Sequence, residues 1–589
     1  MILPQGKLFS DDDVDCSLLD LWLALYLHKK YKSRQAAARP RHSQGEPNRR
    51  WRGKIMAKHF DTHRPLLMGT SWMITADHPL AAQAGASILE AGGNAVDAAI
   101  AANLVLTVVR PHMCGPGGDL FALIYMAESG ELTALNASGR APSRASIEFY
   151  KNQGYDAVPL AGILTATVPG TISGWQAALD KYGTMTLEQL LPRAIAYAEN
   201  GFPVYSDLRL AMEQRRPLLM KSPAAARTFF PGGETPAIGD LLVQPLLART
   251  YRTLATQGPD AFYRGELGRA LVNFSDAEGG LFSEEDLAGH TCNWVEPLRT
   301  GYRGYEICTH PPNSQGIALL MQVNILETFD LAAMGPNQAE LIHLMVEAKK
   351  LAFADRDQYV CDPDVNPVPI KELLDKGQAR AQAQRIDPDS AASSPEPRRF
   401  TSGGDDTVYL AVVDSQGNAV SLIQSIYQAF GSCVMVPETG MLLHNRGCGF
   451  SLDPGHVNAL APGKRPYHTL HPAMILQNEK PCIVLGTPGA DGQTQTIIQI
   501  TTSLLDFGAD VQQAMEAPRW RSDSDGALLM EGRFPPEAVA ALKAKGHQVQ
   551  VLPEWDEVMG SSQAIFVDQE RGMLMGGADP RRQAYAIAK

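Results

Sequence analysis

Two short apolar runs, Val408 to Val413 and Ala419 to Ile423, are separated by Asp414-Ser-Gln-Gly-Asn418. Their β-branched and aromatic residues predict strands, and the Gly/Asn-rich break predicts a hairpin turn between them. The same pattern predicts strands at Phe121 to Met126, Tyr302 to Cys308, Met474 to Leu476 and Ile483 to Leu485. Between these lie helical stretches: an alanine-rich region from Ala76 to Thr107 interrupted at Gly92-Gly93, then Leu191 to Asn200, Pro245 to Gln257, and Thr494 to Leu505. Glu347 to Phe353 reads as an amphipathic helix packed through Leu351 and Phe353. The middle of the chain, from Leu187 to about Ala288, is predicted to be mostly α. Periodicity alone therefore gives mixed α and β with antiparallel hairpins.

Composition narrows the function class. The 589 residues are 44% hydrophobic and 20% charged, which describes a soluble globular protein able to bury a large core. A formal charge of −12 argues against a nucleic-acid partner. Eight cysteines, at 16, 114, 292, 308, 361, 433, 448 and 482, form no C-x-x-C pair, so neither a zinc site nor a dense disulfide framework is expected. The fourteen histidines contain no H-E-x-x-H, and His468-x-x-His471 and His59-x-x-x-His63 lack further ligands. No metal and no cofactor are expected.

The first 68 residues differ from the rest. Asp11-Asp-Asp13 is followed by an interrupted apolar run, Leu18 to Leu27, and then by a basic stretch through Arg49-Arg50 and Arg52. The acidic start does not read as a signal peptide, and the apolar run is too short to span a bilayer. It reads as a poorly ordered extension from an over-extended start, with Met56 and Met68 as later candidates, or as a short surface or partner helix. A cytoplasmic location is expected, with no firm membrane partner.

Thr407 gives the hairpin its chemical interest. It follows the Pro/Ser/Gly-rich stretch from Ser390 to Asp406 and opens the strand. Cleavage between Asp406 and Thr407 would leave a threonine carrying both a hydroxyl and an α-amine of pKa about 7.7–8.0, suited to act as its base. The region from Thr407 to Gln495 resembles the small subunit of the γ-glutamyltranspeptidase family, N-terminal nucleophile hydrolases made as one self-cleaving precursor. Ala91-Gly-Gly-Asn-Ala-Val-Asp-Ala-Ala-Ile100, Val168-Pro-Gly-Thr-Ile-Ser-Gly-Trp175, Pro312-Asn-Ser-Gln-Gly316 and Glu347-Ala-Lys-Lys-Leu-Ala-Phe-Ala-Asp-Arg356 resemble its large-subunit motifs, in the family's order. The resemblance implies an α+β fold, the four-layer αββα sandwich, built from residues 69–406 and 407–589. It also implies paired α and β chains of one precursor, with a possible homo-oligomer of that unit.

The same resemblance implies that Thr407 is the nucleophile and Ser425 a hydroxyl hydrogen-bonded to it. Gly486-Thr-Pro-Gly-Ala490 matches the glycine-rich oxyanion segment, so the amides of Gly489 and Ala490 are expected to face the developing oxyanion. Where γ-glutamyl enzymes hold the substrate's carboxylate and amine, this chain differs. Ser138 stands for the arginine, with Arg140 two residues on, and Arg446 and Gly449 follow Leu443-His-Asn445 where an amide and an aspartate would stand. Tyr427 replaces a smaller asparagine, and His468-Thr469 replaces a serine pair. Arg446, with Arg140, offers a fork to a carboxylate that has no neighbouring ammonium.

These substitutions resemble the amidohydrolase and acylase branches. The expected activity is hydrolysis of a small carboxylate-bearing amide, with oxamate favoured. The alternatives are a glutathione hydrolase or γ-glutamyltransferase, a glutaryl-type acylase, and an uncleaved inactive homologue acting as a binding protein.

Overall fold

The structure, a computed structural model, describes residues 62–393, 406–523 and 525–589. The acidic, apolar and basic runs expected before Met56, and most of the Pro/Ser/Gly-rich stretch before Asp406, lie outside the described residues. Two seven-stranded sheets form the centre. One runs in the order Leu67–Gly69, Met573–Ala578, Gln563–Asp568, Lys480–Gly486, Ala473–Gln477, Tyr305–Thr309, Leu298–Tyr302. The other runs Tyr585–Ala588, Met73–Ala76, Asp406–Val413, Ala419–Tyr427, Asp119–Met126, Glu131–Ala137, Asn293–Val295. Every pairing within both sheets is antiparallel.

Side-chain alternation along one strand reveals the layering. Tyr409, Ala411 and Val413 join Phe121, Leu123, Met474, Val484 and Ile565 in an apolar layer between the sheets. Val408, Leu410 and Val412 point the other way, into a core shared with the helices Pro79–Glu90 and Ala95–Val109. On the other sheet Ile483 and Leu485 pack against the helices Gly316–Leu326, Ala339–Tyr359 and Gly492–Leu505, while Val484 faces inward. Because both faces of this strand are covered from Val408 to Val413, its sequence there is continuously apolar rather than alternating. The result is the expected helix, sheet, sheet, helix sandwich.

Several elements differ from the expectation. Tyr302 to Cys308 is not one strand: Arg303 and Gly304, at φ 53° and 85°, form a two-residue reversal joining two strands. Two successive positive φ values suit the tight hairpin turns that follow the right-handed strand twist. The folded unit also begins before residue 69, because Leu67–Gly69 pairs with Met573–Ala578, and the amides of His63 and Arg64 donate to Glu516. The helix anticipated at Glu347 to Phe353 extends over Ala339–Tyr359.

Two of the sequence motifs serve this scaffold. Asn94 and Asp97 close a capping box at the start of Ala95–Val109, and the Asp97 carboxylate also accepts from the amides of Thr184 and Met185. Asn103, on the same helix, accepts from the Trp175 indole and donates to Gln424 at 3.0 Å. Gln424 in turn donates to the Gly115 carbonyl and to Thr171. This chain of amides ties the helix layer to the strand that carries Ser425.

Candidate active site

Thr407 lies at the edge of the inter-sheet layer and is 2% exposed. Its Oγ1 is 3.1 Å from Ser425 Oγ, to which it donates. The ladder slips here: Val408 pairs with Gln424 and Asp406 with Tyr427, so Thr407 alone opposes Ser425 and Ile426. Such a bulge re-aims side chains next to the irregularity. Beyond it Tyr427 has a φ of 80°, a left-handed conformation that is costly for an aromatic residue, and its amide donates to Ser425 Oγ at 2.7 Å. Gly118 packs under this point: a Cβ there would stand 2.5 Å from the Ser425 carbonyl. The Gly118 carbonyl accepts from the amides of Gly170 and Thr171, so the Val168-Pro-Gly-Thr171 motif supports the same corner.

The strand Lys480–Gly486 ends beside Tyr409 and continues into Thr487-Pro-Gly-Ala490 before the helix Gly492–Leu505. Gly489 has a φ of 129°, which L side chains rarely adopt, and Ala490 a φ of 39°. The carbonyls of both are engaged: Gly489 accepts from Gly492, and Ala490 from Gln493 and from Gln315 Nε2 at 2.8 Å. Among the described residues neither amide donates to another group. Gln315 is a junction. Its Nε2 also donates to the Thr469 carbonyl, and its Oε1 accepts from buried Arg356 and from Tyr467. Arg356 reaches Asp491, next to Ala490, at 2.9 Å. The motifs ending at Gly316 and Arg356 therefore brace the Gly489-Ala490 turn from behind.

Arg446, Tyr427, His468 and Thr469 lie together. Arg446 is 2% exposed; its Nη1 donates to Thr469 Oγ1 at 3.0 Å, and its guanidinium carbon lies 4.1 Å from the centre of the Tyr427 ring. Its Nη2 is buried and has no hydrogen-bond partner among the described residues. Burial presses the guanidinium pKa downward, opposed by Tyr427 and Asp119. Arg140 goes elsewhere: it pairs with Asp364 at 2.7 Å and Asp362 at 3.4 Å and donates to the Gly463 carbonyl. The fork expected for substrate is thus already filled by carboxylates.

Two residues not anticipated complete the cluster. Asp119 opens the strand beside Ser425, in direct register with it, and is buried. Its Oδ1 accepts from the Gly139 amide and its Oδ2 from His468 Nε2 at 3.0 Å. Since His468 Nδ1 accepts from the Leu470 amide, the imidazole carries its hydrogen on Nε2 and is neutral. Burial alone would raise the Asp119 pKa, but His444, His468 and Arg446 outweigh it and hold the carboxyl at about 2. His444 is fixed in the same tautomer, donating from Nε2 to the Thr167 carbonyl and accepting from the Arg446 amide. The one available signal was Gly117-Gly118-Asp119, a charge at the head of an otherwise apolar strand.

Burial holds His78, His468 and His471 near pKa 3 and His310 near 4. Their folded-state pKa values are depressed below about 6.5, so the unfolded chain takes up protons first as pH falls. The stability they contribute is present above pH 6.5 and is lost on acidification toward pH 3–4. Between pH 7.5 and 5.5 each costs about 1.4 kcal/mol and the four together about 5 kcal/mol. We expect the Tm, followed by circular dichroism, to fall steeply across that window; a flat profile would mean that these histidines are not buried as neutral rings.

Among the described residues no helix is long and apolar enough to cross a membrane. The chain is 42% identical to the glutathione hydrolase-like YwrD proenzyme of Bacillus subtilis, with 88% of this chain and 99% of the relative covered. It is 39% identical to the oxamate amidohydrolase proenzyme of Klebsiella pneumoniae, covering 88% and 98%. Cephalosporin acylase from Bacillus halodurans superposes with a TM-score of 0.84 at 38% identity, over 91% of this chain and 98% of that one. The family model for gamma-glutamyltranspeptidase matches residues 81–589. With the two-sheet sandwich and the motifs that converge on one corner of it, these matches establish that the chain belongs to the gamma-glutamyltranspeptidase family of N-terminal nucleophile hydrolases.

Proposed function

We propose that this protein is a self-processing amidohydrolase that cleaves a small carboxylate-bearing amide through Thr407, with oxamate the favoured substrate. In processing, Thr407 Oγ1 attacks the Asp406 carbonyl, the peptide C–N bond breaks to free the Thr407 amine and leave an ester on Oγ1, and water opens that ester to give the Asp406 carboxylate and restore the Thr407 hydroxyl. In turnover the amine takes the hydroxyl proton as Oγ1 attacks the substrate amide. The amides of Gly489 and Ala490 receive the developing oxyanion, each worth about 3–4 kcal/mol. The leaving nitrogen departs as ammonia with the transferred proton, and water hydrolyses the acyl-enzyme.

Tyr427 carries the substrate argument. Its amide touches Ser425 Oγ, the partner of the nucleophile, while its ring stacks on Arg446, whose Nη2 lacks a partner. A single residue thus spans from nucleophile to anion-binding cation, which supports a short acyl group bearing its own carboxylate. The oxamate amidohydrolase of Klebsiella pneumoniae, at 39% identity, supports the same reading. The relative named glutathione hydrolase-like supports a second one, in which buried Asp119 serves a substrate ammonium. Both oxygens of Asp119 are already engaged, which favours the first.

The test is a panel on purified, processed protein: ammonia release from oxamate against glutamate release from glutathione. Oxamate is expected to exceed glutathione in kcat/KM by at least about tenfold, a difference of ~1.4 kcal/mol. The reverse order would move the assignment to the γ-glutamyl reading, and turnover of neither would overturn both.

A further inference from the structure

Far from Thr407 in sequence, three metal-ligating side chains meet in a buried position that the chemistry above does not use. His343 and Glu347 lie one turn apart on the helix Ala339–Tyr359, and His547 immediately precedes the strand Gln548–Leu552. Their exposures are 2%, 4% and 8%. One donor atom from each lies within 4.8 Å of the others. The sequence expectation of no metal rested on local spacing, and 204 positions separate the two histidines.

We propose that His343, Glu347 and His547 form a site for a divalent first-row transition cation of the Zn²⁺ class, one that fastens the segment before Asp406 to the segment after Thr407. Two imidazoles and a carboxylate suit that class, leaving a fourth position for water. His343 Nε2 lies 2.8 Å from the Asp387 carbonyl, which can only accept, so the ring carries its hydrogen there. The lone pair on Nδ1 then faces His547 Nε2 at 2.8 Å. A backbone carbonyl on the distal N–H is the tie that commonly orients a ligating histidine. In the ion-free state His547 donates to that lone pair from Nε2. When a cation binds, the His547 proton moves to Nδ1, Nε2 becomes a second donor, and no net proton is released. Glu347 Oε1 exchanges the Lys350 ammonium for the cation, and Lys350 keeps its bond to the Ala392 carbonyl.

The position gives the ion a structural task. Asp387 and Ala392 belong to the last described stretch before Asp406, and Glu347 Oε2 already accepts from the Ala392 amide. Lys545, two residues before His547, donates to the Pro388 carbonyl, and its own carbonyl accepts from the Ala391 amide. An ion here would pin the end of the upstream segment to the downstream one. Once the bond at Thr407 is cut, it would hold two separate chains together.

The experiment uses EDTA-stripped, purified protein at pH 7.5, titrated with Zn²⁺ by calorimetry and with Co²⁺ by visible absorption. Binding of one equivalent, tetrahedral Co²⁺ bands and a Zn²⁺-dependent rise in Tm are expected. His547→Ala should weaken Zn²⁺ binding at least about 100-fold, and His343→Ala should do the same. His547 borders the surface, so its variant keeps the test valid if His343→Ala fails to fold. Absence of stoichiometric binding, or binding unchanged in His547→Ala, overturns the site. Hydrolytic activity is not the readout, so this result stands apart from the assignment of Thr407.

Discussion

Thr407→Ala is expected to remain a single chain and to lose at least about 10⁴-fold in hydrolytic turnover, the scale on which removal of a covalent nucleophile acts. The wild-type protein is expected to yield two chains, the smaller beginning at Thr407. The substitution removes Oγ1 and one methyl from a buried position whose hydroxyl makes one hydrogen bond to Ser425. Loss of one such bond costs about 1 kcal/mol, too little to unfold a protein with this much buried apolar surface. The variant should therefore be folded, uncut and inactive together. Intact mass and N-terminal sequencing read the first two properties, and a fixed-substrate assay reads the third. Thr407→Ser keeps the oxygen and should still cut itself, which separates loss of the nucleophile from loss of β-branched packing. Cleavage at the Asp406–Thr407 bond in Thr407→Ala would remove Thr407 from the mechanism altogether.

What the sequence revealed here, and what it hid, follows from contact distance along the chain. The hairpin holding Thr407 and Ser425 was legible because its pairing is local: two apolar runs and a Gly-Asn turn set the register. The sandwich was legible through motifs, each of which turns out to have a definite task. Gly170 meets the Gly118 carbonyl, Gln315 holds the carbonyls of Thr469 and Ala490, and Arg356 holds Asp491. The convergence of Gln315 and Arg356 on the Gly489-Ala490 turn could not be read, since their partners there lie more than a hundred residues away. Asp119 was missed for the same reason: in sequence it is a charge at a strand start, and only folding brings His468 to it. Arg140 failed in the opposite direction. Its proximity to Ser138 suggested substrate contact, while Asp362 and Asp364, over 200 residues away, neutralise it. The hairpin at Arg303-Gly304 was hidden because an arginine gives no hint of a positive φ, whereas the glycine beside it does.

Arg446 is where specificity should break without breaking processing. Arg446→Met keeps the apolar stem against Tyr427 and removes only the charged fork. Self-cleavage needs no substrate carboxylate, so the variant is expected to process as the wild type does. For a carboxylate-bearing amide such as oxamate, kcat/KM should fall by roughly 10²–10³-fold, the ~3–4 kcal/mol of a buried charge-assisted pair. For oxamide, which replaces the carboxylate with a neutral amide, the change should stay within about threefold. The contrast between the two substrates isolates the charge, because any general loosening of the pocket would lower both. The surrounding cluster tolerates the change: Asp119 keeps the Gly139 amide and His468, and removal of the Arg446 cation relieves one of the influences that depress the His468 pKa. That imidazole should then protonate more readily beside Asp119, so the residual activity should acquire a new dependence on acid pH that the parent lacks. Equal losses on oxamate and oxamide, or a chain that no longer cuts itself, would make Arg446 a structural cation, with its unpartnered Nη2 no longer an argument for an anionic substrate.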